Sequence, residues 1–201
     1  MKTRRSDIAF TPSVKAIQAR KGSRDAYRRM EEKGGWRQDI TDELAAFIAE
    51  QRSFFIATVS SDGAPYIQHR GGPRGFLHVI GPATLAFADF KGNRQFISQG
   101  NLADNPKAHI FLIDYLNRRR IKIWGEARVI EDDPKLLEKL MPGSYQARHE
   151  QVVVFEVFTW DVNCPQHIPV RIDAEDVQLA LAERDARIAE LKAKLATAGA
   201  G

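Results

Sequence analysis

The sequence predicts a mainly β fold, a sandwich or barrel of about seven short strands, with helices before and after it. Three observations predict it. From Phe54 onward, runs of β-branched and aromatic residues recur at short intervals, beginning with Phe54 to Ser60 (FFIATVS). Turn signals such as Ser61-Asp62-Gly63 and Gly81-Pro82 separate those runs. On either side of the region the apolar spacing changes to a helical one.

Residues 1–40 read as an N-terminal helical arm. Val14 to Met30 is polar with scattered apolar positions, suits a helix, and is followed by Gly34-Gly35. Thr41 starts a second helix: it offers a hydroxyl N-cap, Asp42 and Glu43 fill the first turn, and Leu44, Phe47 and Ile48 share a face. That helix ends near Gln51. Strands then follow over Phe54–Ser60, Ala64–His69, Phe76–Ile80, Thr84–Ala88, His109–Asp114, Arg120–Ile130 and Val152–Trp160. Helices over Gly92–Leu102 and near Pro134–Met141 interrupt the series, and the β domain as a whole spans 41–172. Residues 173–201 form a C-terminal helix and tail. There Val177, Leu181, Arg184, Ile188, Leu191 and Leu195 recur at alternating four- and three-residue steps, a heptad seam with one arginine in it. Glu183/Arg187 and Glu190/Lys194 are supporting i,i+4 pairs. Two uninterrupted heptads are too few to hold alone, so this helix needs the barrel or the same helix of a second subunit.

A chain of 201 residues accommodates one ordinary domain with extensions, and 43% hydrophobic residues supply its core without metals or disulfides. Cys164 is the only cysteine, which excludes an intrachain disulfide and suits a reducing compartment. Met1-Lys2-Thr3-Arg4-Arg5 leads into mixed polar sequence, without the apolar run of a secretory leader or of a twin-arginine signal. No segment approaches the roughly 20 apolar residues of a membrane span. A cytoplasmic, membrane-free location is expected. The net charge is +4, concentrated in the arm and in Arg118-Arg119-Arg120. No nucleic-acid-binding motif accompanies it, which leaves a solvated basic face or an anionic small ligand.

Three clusters are candidates for chemistry. In His69-Arg70-Gly71-Gly72-Pro73-Arg74-Gly75-Phe76, glycines beside arginines describe either a backbone that approaches a ligand closely or a tight turn with solvated arginines. The spacing matches neither a phosphate loop nor a dinucleotide fingerprint. In Asp89-Phe90-Lys91-Gly92-Asn93-Arg94, cations flank a glycine at an expected helix N-terminus, a combination suited to a phosphate monoester or to plain solvent. In Arg120-Ile121-Lys122-Ile123-Trp124, the arginine, lysine and tryptophan share one face of a strand, as a ligand wall or as a cap on the core. Cys164 and His167 have C-x-x-H spacing, but no further cysteine exists, so neither a zinc site nor a Cys–His nucleophile is expected.

Taken together, Phe54 to Gly63, Pro65 to Phe76, Leu85 to Pro106 and Arg120 to Val129 resemble the pyridoxamine 5′-phosphate oxidase-related family of flavin-binding proteins, in the family's order. The Arg-Gly-Gly-Pro and Gly-Asn-Arg pieces are most similar to its flavin-nucleotide-binding branch. The resemblance implies a six- to seven-stranded antiparallel split β-barrel that dimerises with flavin mononucleotide (FMN) at the subunit interface. Carried over by position, it implies a cofactor-binding set of Arg70, Gly71, Gly72, Lys91, Asn93, Arg94, Arg120 and Gln166, and assigns no catalytic residue. Arg120 stands where the oxidase has glutamine. The oxidase's C-terminal arginine-histidine motif is missing, and Cys164-Pro-Gln-His167 and a long helix stand in its place. The expected activity is FMN-dependent oxidoreduction of a small molecule or a reduced nicotinamide. The alternatives are a flavin carrier or sensor without turnover, and a basic protein whose C-terminal helix recruits a partner.

Overall fold

The structure is a computed structural model that describes residues 4–141 and 145–198. The first three residues of the arm and the last three of the tail lie outside the described residues. Two units are distinguished: Met1–Ile113 with Arg120–Cys164, and Asp114–Arg119 with Pro165–Gly201.

The larger unit opens with a 3-10 turn (Arg5–Ile8) and two short helices, α1 (Pro12–Arg20) and α2 (Arg24–Glu32). The single helix expected over Val14–Met30 is therefore broken. Gly22 adopts φ +80°, and the Gly22 and Ser23 N–H groups turn back to Ala19 and Gln18 carbonyls, which closes α1. Glu31 of α2, its side chain fully buried, receives both Arg4 and Arg24, which cross-links the arm. Helix α3 (Asp42–Ala49) begins at Thr41, whose hydroxyl accepts from the Leu44 N–H at 3.3 Å as the sequence predicts.

Seven strands follow: β1 (Ser53–Val59), β2 (Pro65–Gly71), β3 (His78–Gly81), β4 (Thr84–Phe90), β5 (Lys107–Asp114), β6 (Arg119–Ile130) and β7 (His149–Val162). Helix α4 (Ile97–Asp104) lies between β4 and β5, and α5 (Pro134–Leu140) between β6 and β7. The strands form one sheet in the order β2-β1-β5-β6-β7-β4-β3. Strand β1 pairs antiparallel with β2 and β5, and β7 with β4 and β6. Alternate residues of β1, β5 and β6 (Phe54, Ile56, Ile110, Leu112, Ile121, Ile123) point into one core with Leu85, Phe87, Phe155 and the apolar face of α3. Strand β4 is buried on both faces, because α5 covers its other side over Ala86 and Ala88.

The sheet curls so far that side chains from its opposite ends meet. Phe54 of β1 packs edge-on to Phe87 of β4 at 5.1 Å, and Arg70 of β2 pairs with Asp89 of β4, although β2 and β4 share no backbone ladder. This is the split barrel: closed by side chains where the main chain stays open. A bulge between Trp124 and Gly125 adjusts the β6–β7 register. A Cβ on Gly125 would lie 2.0 Å from the Glu156 carbonyl oxygen and 2.5 Å from the Phe155 ring, so only glycine fits.

In the smaller unit, Asp114 accepts hydrogen bonds from Asn117, the Arg171 guanidinium lies 4.5 Å from the Tyr115 ring centre, and α6 spans Ala174–Ala198. From Val177 to Ala196 every α6 residue is exposed. Arg187 bonds Glu190 at 2.5 Å rather than Glu183, and Lys194 bonds Glu190 at 2.6 Å. Among the described residues, no helix is long and apolar enough to cross a membrane.

Candidate functional site

Strand alternation builds one wall of the site. In β2, Tyr66, Gln68 and Arg70 turn the same way, partly covered, while Pro65, Ile67, His69 and Gly71 are exposed. These three side chains line a cleft of about 280 Å³ with Asp89 and Phe90 of β4, the connection Gly92–Phe96, the first turn of α4, and Glu150 and Gln151 of β7. The cleft thus lies at the barrel's split.

The connection before α4 departs from the sequence expectation. The helix starts at Ile97, not Gly92, because Arg94 and Phe96 take left-handed φ values of 58° and 54° that a continuing α-helix excludes. Asn93 Oδ1 accepts from the Gln95 N–H at 3.3 Å and steadies the turn. Phe96 occupies the N-cap and offers no capping side chain, so the first turn of α4, which lines the cleft, begins without a side-chain cap.

Charge in the cleft is balanced. Arg70 is paired with Asp89, whose other oxygen accepts from the Gln151 amide at 3.0 Å. Burial pushes the Asp89 carboxyl above its ordinary range, against the pull of Arg70 and Gln151. The Arg94 Nε lies 3.1 Å from Glu150, and its guanidinium 5.4 Å from the Phe96 ring centre. One donor is left over: the Arg70 Nε is buried and has no hydrogen-bond partner. Ser98, buried in α4, donates to Gln68 at 2.7 Å and fixes α4 on β2.

Of the eight expected cofactor residues, three line this cleft: Arg70, Asn93 and Arg94. Lys91 is exposed beside it, its N–H donating to the Arg148 carbonyl at 2.7 Å. Gly71 ends β2. Gly72 is a packing residue, since a Cβ there would sit 2.6 Å from the Phe76 ring, and its N–H donates to the Arg52 carbonyl at 3.0 Å. The first two clusters hold four cations: Arg70, Arg74, Lys91 and Arg94. Arg70 and Arg94 line the cleft, and Arg74 instead pairs with Glu50 at 2.6 Å. Arg120 lies on β6, away from the cleft's lining, with its Nε buried and unpartnered. Gln166 belongs to the smaller unit and is exposed.

The third cluster is not an open ligand wall. Trp124 is covered by Trp36 of the arm, stacked at 4.9 Å, and His109 of β5 meets it edge-on at 4.8 Å. Lys122 lies within 6 Å of both indole centres and 3.1 Å from Asp161. Burial, and then the Lys122 charge, push the His109 imidazole down from 6.5 to about 4. Cys164 and His167 are both exposed, and among the described residues no group of three His, Cys, Asp or Glu side chains could hold a metal. Sequence reasoning missed Glu150, Gln151, Ser98 and Gln68, whose roles depend on strands and helices distant in the chain.

The chain is similar in fold to HupZ from Group A Streptococcus, at 18% identity over 66% of this chain and 99% of that one, with a TM-score of 0.51. It is likewise similar to an FMN-binding protein from Syntrophomonas wolfei subsp. wolfei, at 14% identity over 73% of this chain and 97% of that one, with a TM-score of 0.50. No curated protein matches the sequence. The sequence model described as pyridoxamine 5′-phosphate oxidase matches residues 40–178, which take in α3, the whole barrel, the cleft at its split and the start of α6. Built on that barrel and matched over that length, the chain belongs to the pyridoxamine 5′-phosphate oxidase family.

Proposed function

We propose that the cleft binds FMN by its phosphate and that the protein is a flavin-dependent oxidoreductase acting on a small molecule or a reduced nicotinamide, as a homodimer with the flavin at the subunit interface. One observation carries the reading. The buried Arg70 Nε lacks an acceptor in the same cleft that α4 enters with an uncapped N-terminus, and a phosphate oxygen is an acceptor that suits both. Family membership and the likeness to an FMN-binding protein support the choice of flavin. A cleft of about 280 Å³ suits the phosphate and ribityl end, which leaves the ring outside it.

In this reading Asp89 and Gln151 hold the Arg70 guanidinium in place, and Ser98 holds α4 against β2. Arg94 exchanges the Glu150 carboxylate for the phosphate. Bound FMN would supply hydride or electron acceptance at its ring, and no protein acid–base pair is assigned to it.

The test separates the phosphate from the rest of the ligand. FMN and riboflavin are titrated into the purified protein and into Arg94→Ala, with flavin fluorescence as the readout. A charge-assisted hydrogen bond contributes about 1.5–3 kcal/mol, so Arg94→Ala should weaken FMN roughly ten- to a hundredfold and leave riboflavin unchanged. Equal affinity for FMN and riboflavin in the parent protein, or binding of neither, refutes the site. Bleaching of bound FMN by NADH or NADPH then separates the oxidoreductase from the carrier or sensor, which would be inert to both.

A further inference from the structure

The cleft at the split adjoins a second cavity, of about 420 Å³. Glu150 and Gln151 of β7 line both, and Gln99 of α4, in the first, donates to Glu131, in the second, at 2.5 Å. The turn from β6 into α5 builds the second cavity. Pro134 opens α5, and Asp133 caps it by accepting from the Leu136 N–H at 2.9 Å. Ile130, which precedes the turn, pairs with Val152 of β7, so Glu131, Asp132 and Asp133 come beside the first residues of β7.

The two cavities differ in charge. In the first, Arg70 and Arg94 balance Asp89 and Glu150. Glu131, Asp132, Asp133 and Glu150 line the second, and among the described residues no lysine or arginine does. That contrast acts on whatever a ligand carries beyond its phosphate. A terminal phosphate monoester and the diphosphate bridge of a dinucleotide bear about the same total charge, close to two negative units. The monoester holds all of it on one phosphate, within reach of Arg70, Arg94 and the first turn of α4. The bridge divides it, leaves one unit there and carries the other onward, beside carboxylates and away from both guanidiniums. Like charges across a partly solvated cavity repel strongly enough to change affinity severalfold.

We infer that Glu131 and Asp132, with Glu150, are specificity-determining residues that admit a terminal phosphate monoester and reject a diphosphate bridge, so that the site takes FMN in preference to flavin adenine dinucleotide (FAD). The inference rests on the phosphate reading of the cleft and adds which phosphates the cleft accepts. Asp133 stands outside the set, because capping α5 accounts for it. Glu150 lines both cavities, so the carboxylate that Arg94 gives up to a monoester strengthens the barrier behind it.

Equilibrium dialysis of FMN, FAD and riboflavin against the full chain, read by flavin absorbance, supplies the test. The parent should bind FAD at least about tenfold more weakly than FMN. Glu131→Gln combined with Asp132→Asn removes two charges and keeps an acceptor for Gln99. It should narrow the gap about three- to tenfold, mainly by tightening FAD. Raising the ionic strength around the parent to about 1 M, where the Debye length is about 3 Å, should narrow it as well. The salt comparison stands even if circular dichroism shows the double variant misfolded. FAD bound as tightly as FMN by the parent overturns the inference and leaves the phosphate reading intact. A gap unchanged by salt and by the natively folded variant also overturns it, since size rather than charge then excludes FAD. FMN bound no more tightly than riboflavin refutes the phosphate reading itself, and the inference falls with it.

Discussion

His109 makes the barrel's stability depend on pH in a way that one substitution removes. Its ring sits on the outer face of β5 against Trp124, with the Lys122 ammonium on the same patch and Trp36 stacked above. Protonation would place a second cation there with little water to screen it, and burial followed by Lys122 holds the imidazole at about 4 instead of 6.5. The unfolded chain therefore takes up a proton before the native one does. The stabilisation is fully present above about pH 6.5 and is lost as the pH falls towards 4. At about 1.4 kcal/mol per pH unit, the loss reaches about 3 kcal/mol at the lower end and about 2 kcal/mol at pH 5. Urea unfolding at pH 7, 6 and 5 measures it, with His109→Phe as the comparison, since phenylalanine keeps an edge-on ring and cannot be protonated. The parent should lose about 2 kcal/mol more than the variant between pH 7 and 5. The other shifted groups are common to both proteins and cancel in the comparison, including His78, which burial also pushes down and which acts in the same sense as His109. Lys15 holds Asp7 low, and Glu31, although burial pushes it up, is drawn lower by Arg24 and Arg4, so both lose their contributions only below the usual carboxylate range. Asp89, pushed up, acts in the opposite sense, and it is common to both proteins. Parallel pH profiles for parent and variant, or a His109 resonance titrating near 6.5, would refute the account.

Two further substitutions test the scaffold. Gly125→Ala forces a methyl group into the Glu156 carbonyl and the Phe155 ring, and it should cost at least about 1–3 kcal/mol in urea unfolding because neither neighbour can yield without breaking the β6–β7 register. Glu31→Gln leaves Arg4 and Arg24 without their shared carboxylate, and trypsin should then cut at Arg20 or Lys21 markedly faster while the barrel's near-ultraviolet circular dichroism persists. An unchanged cleavage rate would show that the carboxylate does not tether the arm.

The barrel was legible because its strands alternate visibly and its turns carry glycine, proline or aspartate. Each of the seven expected strands exists, with ends displaced by a few residues. The two mistaken helices share a physical cause. Within Val14–Met30 a single glycine at a left-handed φ reverses the chain, and inside a polar helical pattern one glycine reads as tolerated. Before α4 the left-handed positions are an arginine and a phenylalanine, residue types that give no advance sign of such a conformation. Tertiary contacts at the cleft hold them there, and a linear pattern does not register those contacts.

The site was half legible for a related reason. Cationic clusters are local and visible, whereas what neutralises them is not. Gln151 reaches Asp89 across 62 residues, and Asp89 reaches Arg70 between strands that never pair. Counting charges along the chain gives a basic site; folding gives two guanidiniums balanced by two carboxylates, with one buried N–H left unsatisfied. A dianion entering such a cleft gains little from net charge, so its recognition depends on donors that already point inward. The candidates are the Arg70 guanidinium, held by the contact that also closes the barrel and with its Nε unpartnered, and the uncapped first turn of α4, held by Ser98 on Gln68. Arg94 differs from both. It is exposed, paired with a partly exposed Glu150 beside the Phe96 ring, and on this reading can trade one carboxylate for a phosphate without disturbing the barrel. The closing contact and the exchangeable one are therefore different residues, and Arg94→Ala is the substitution expected to test the proposed phosphate contact while leaving the fold intact.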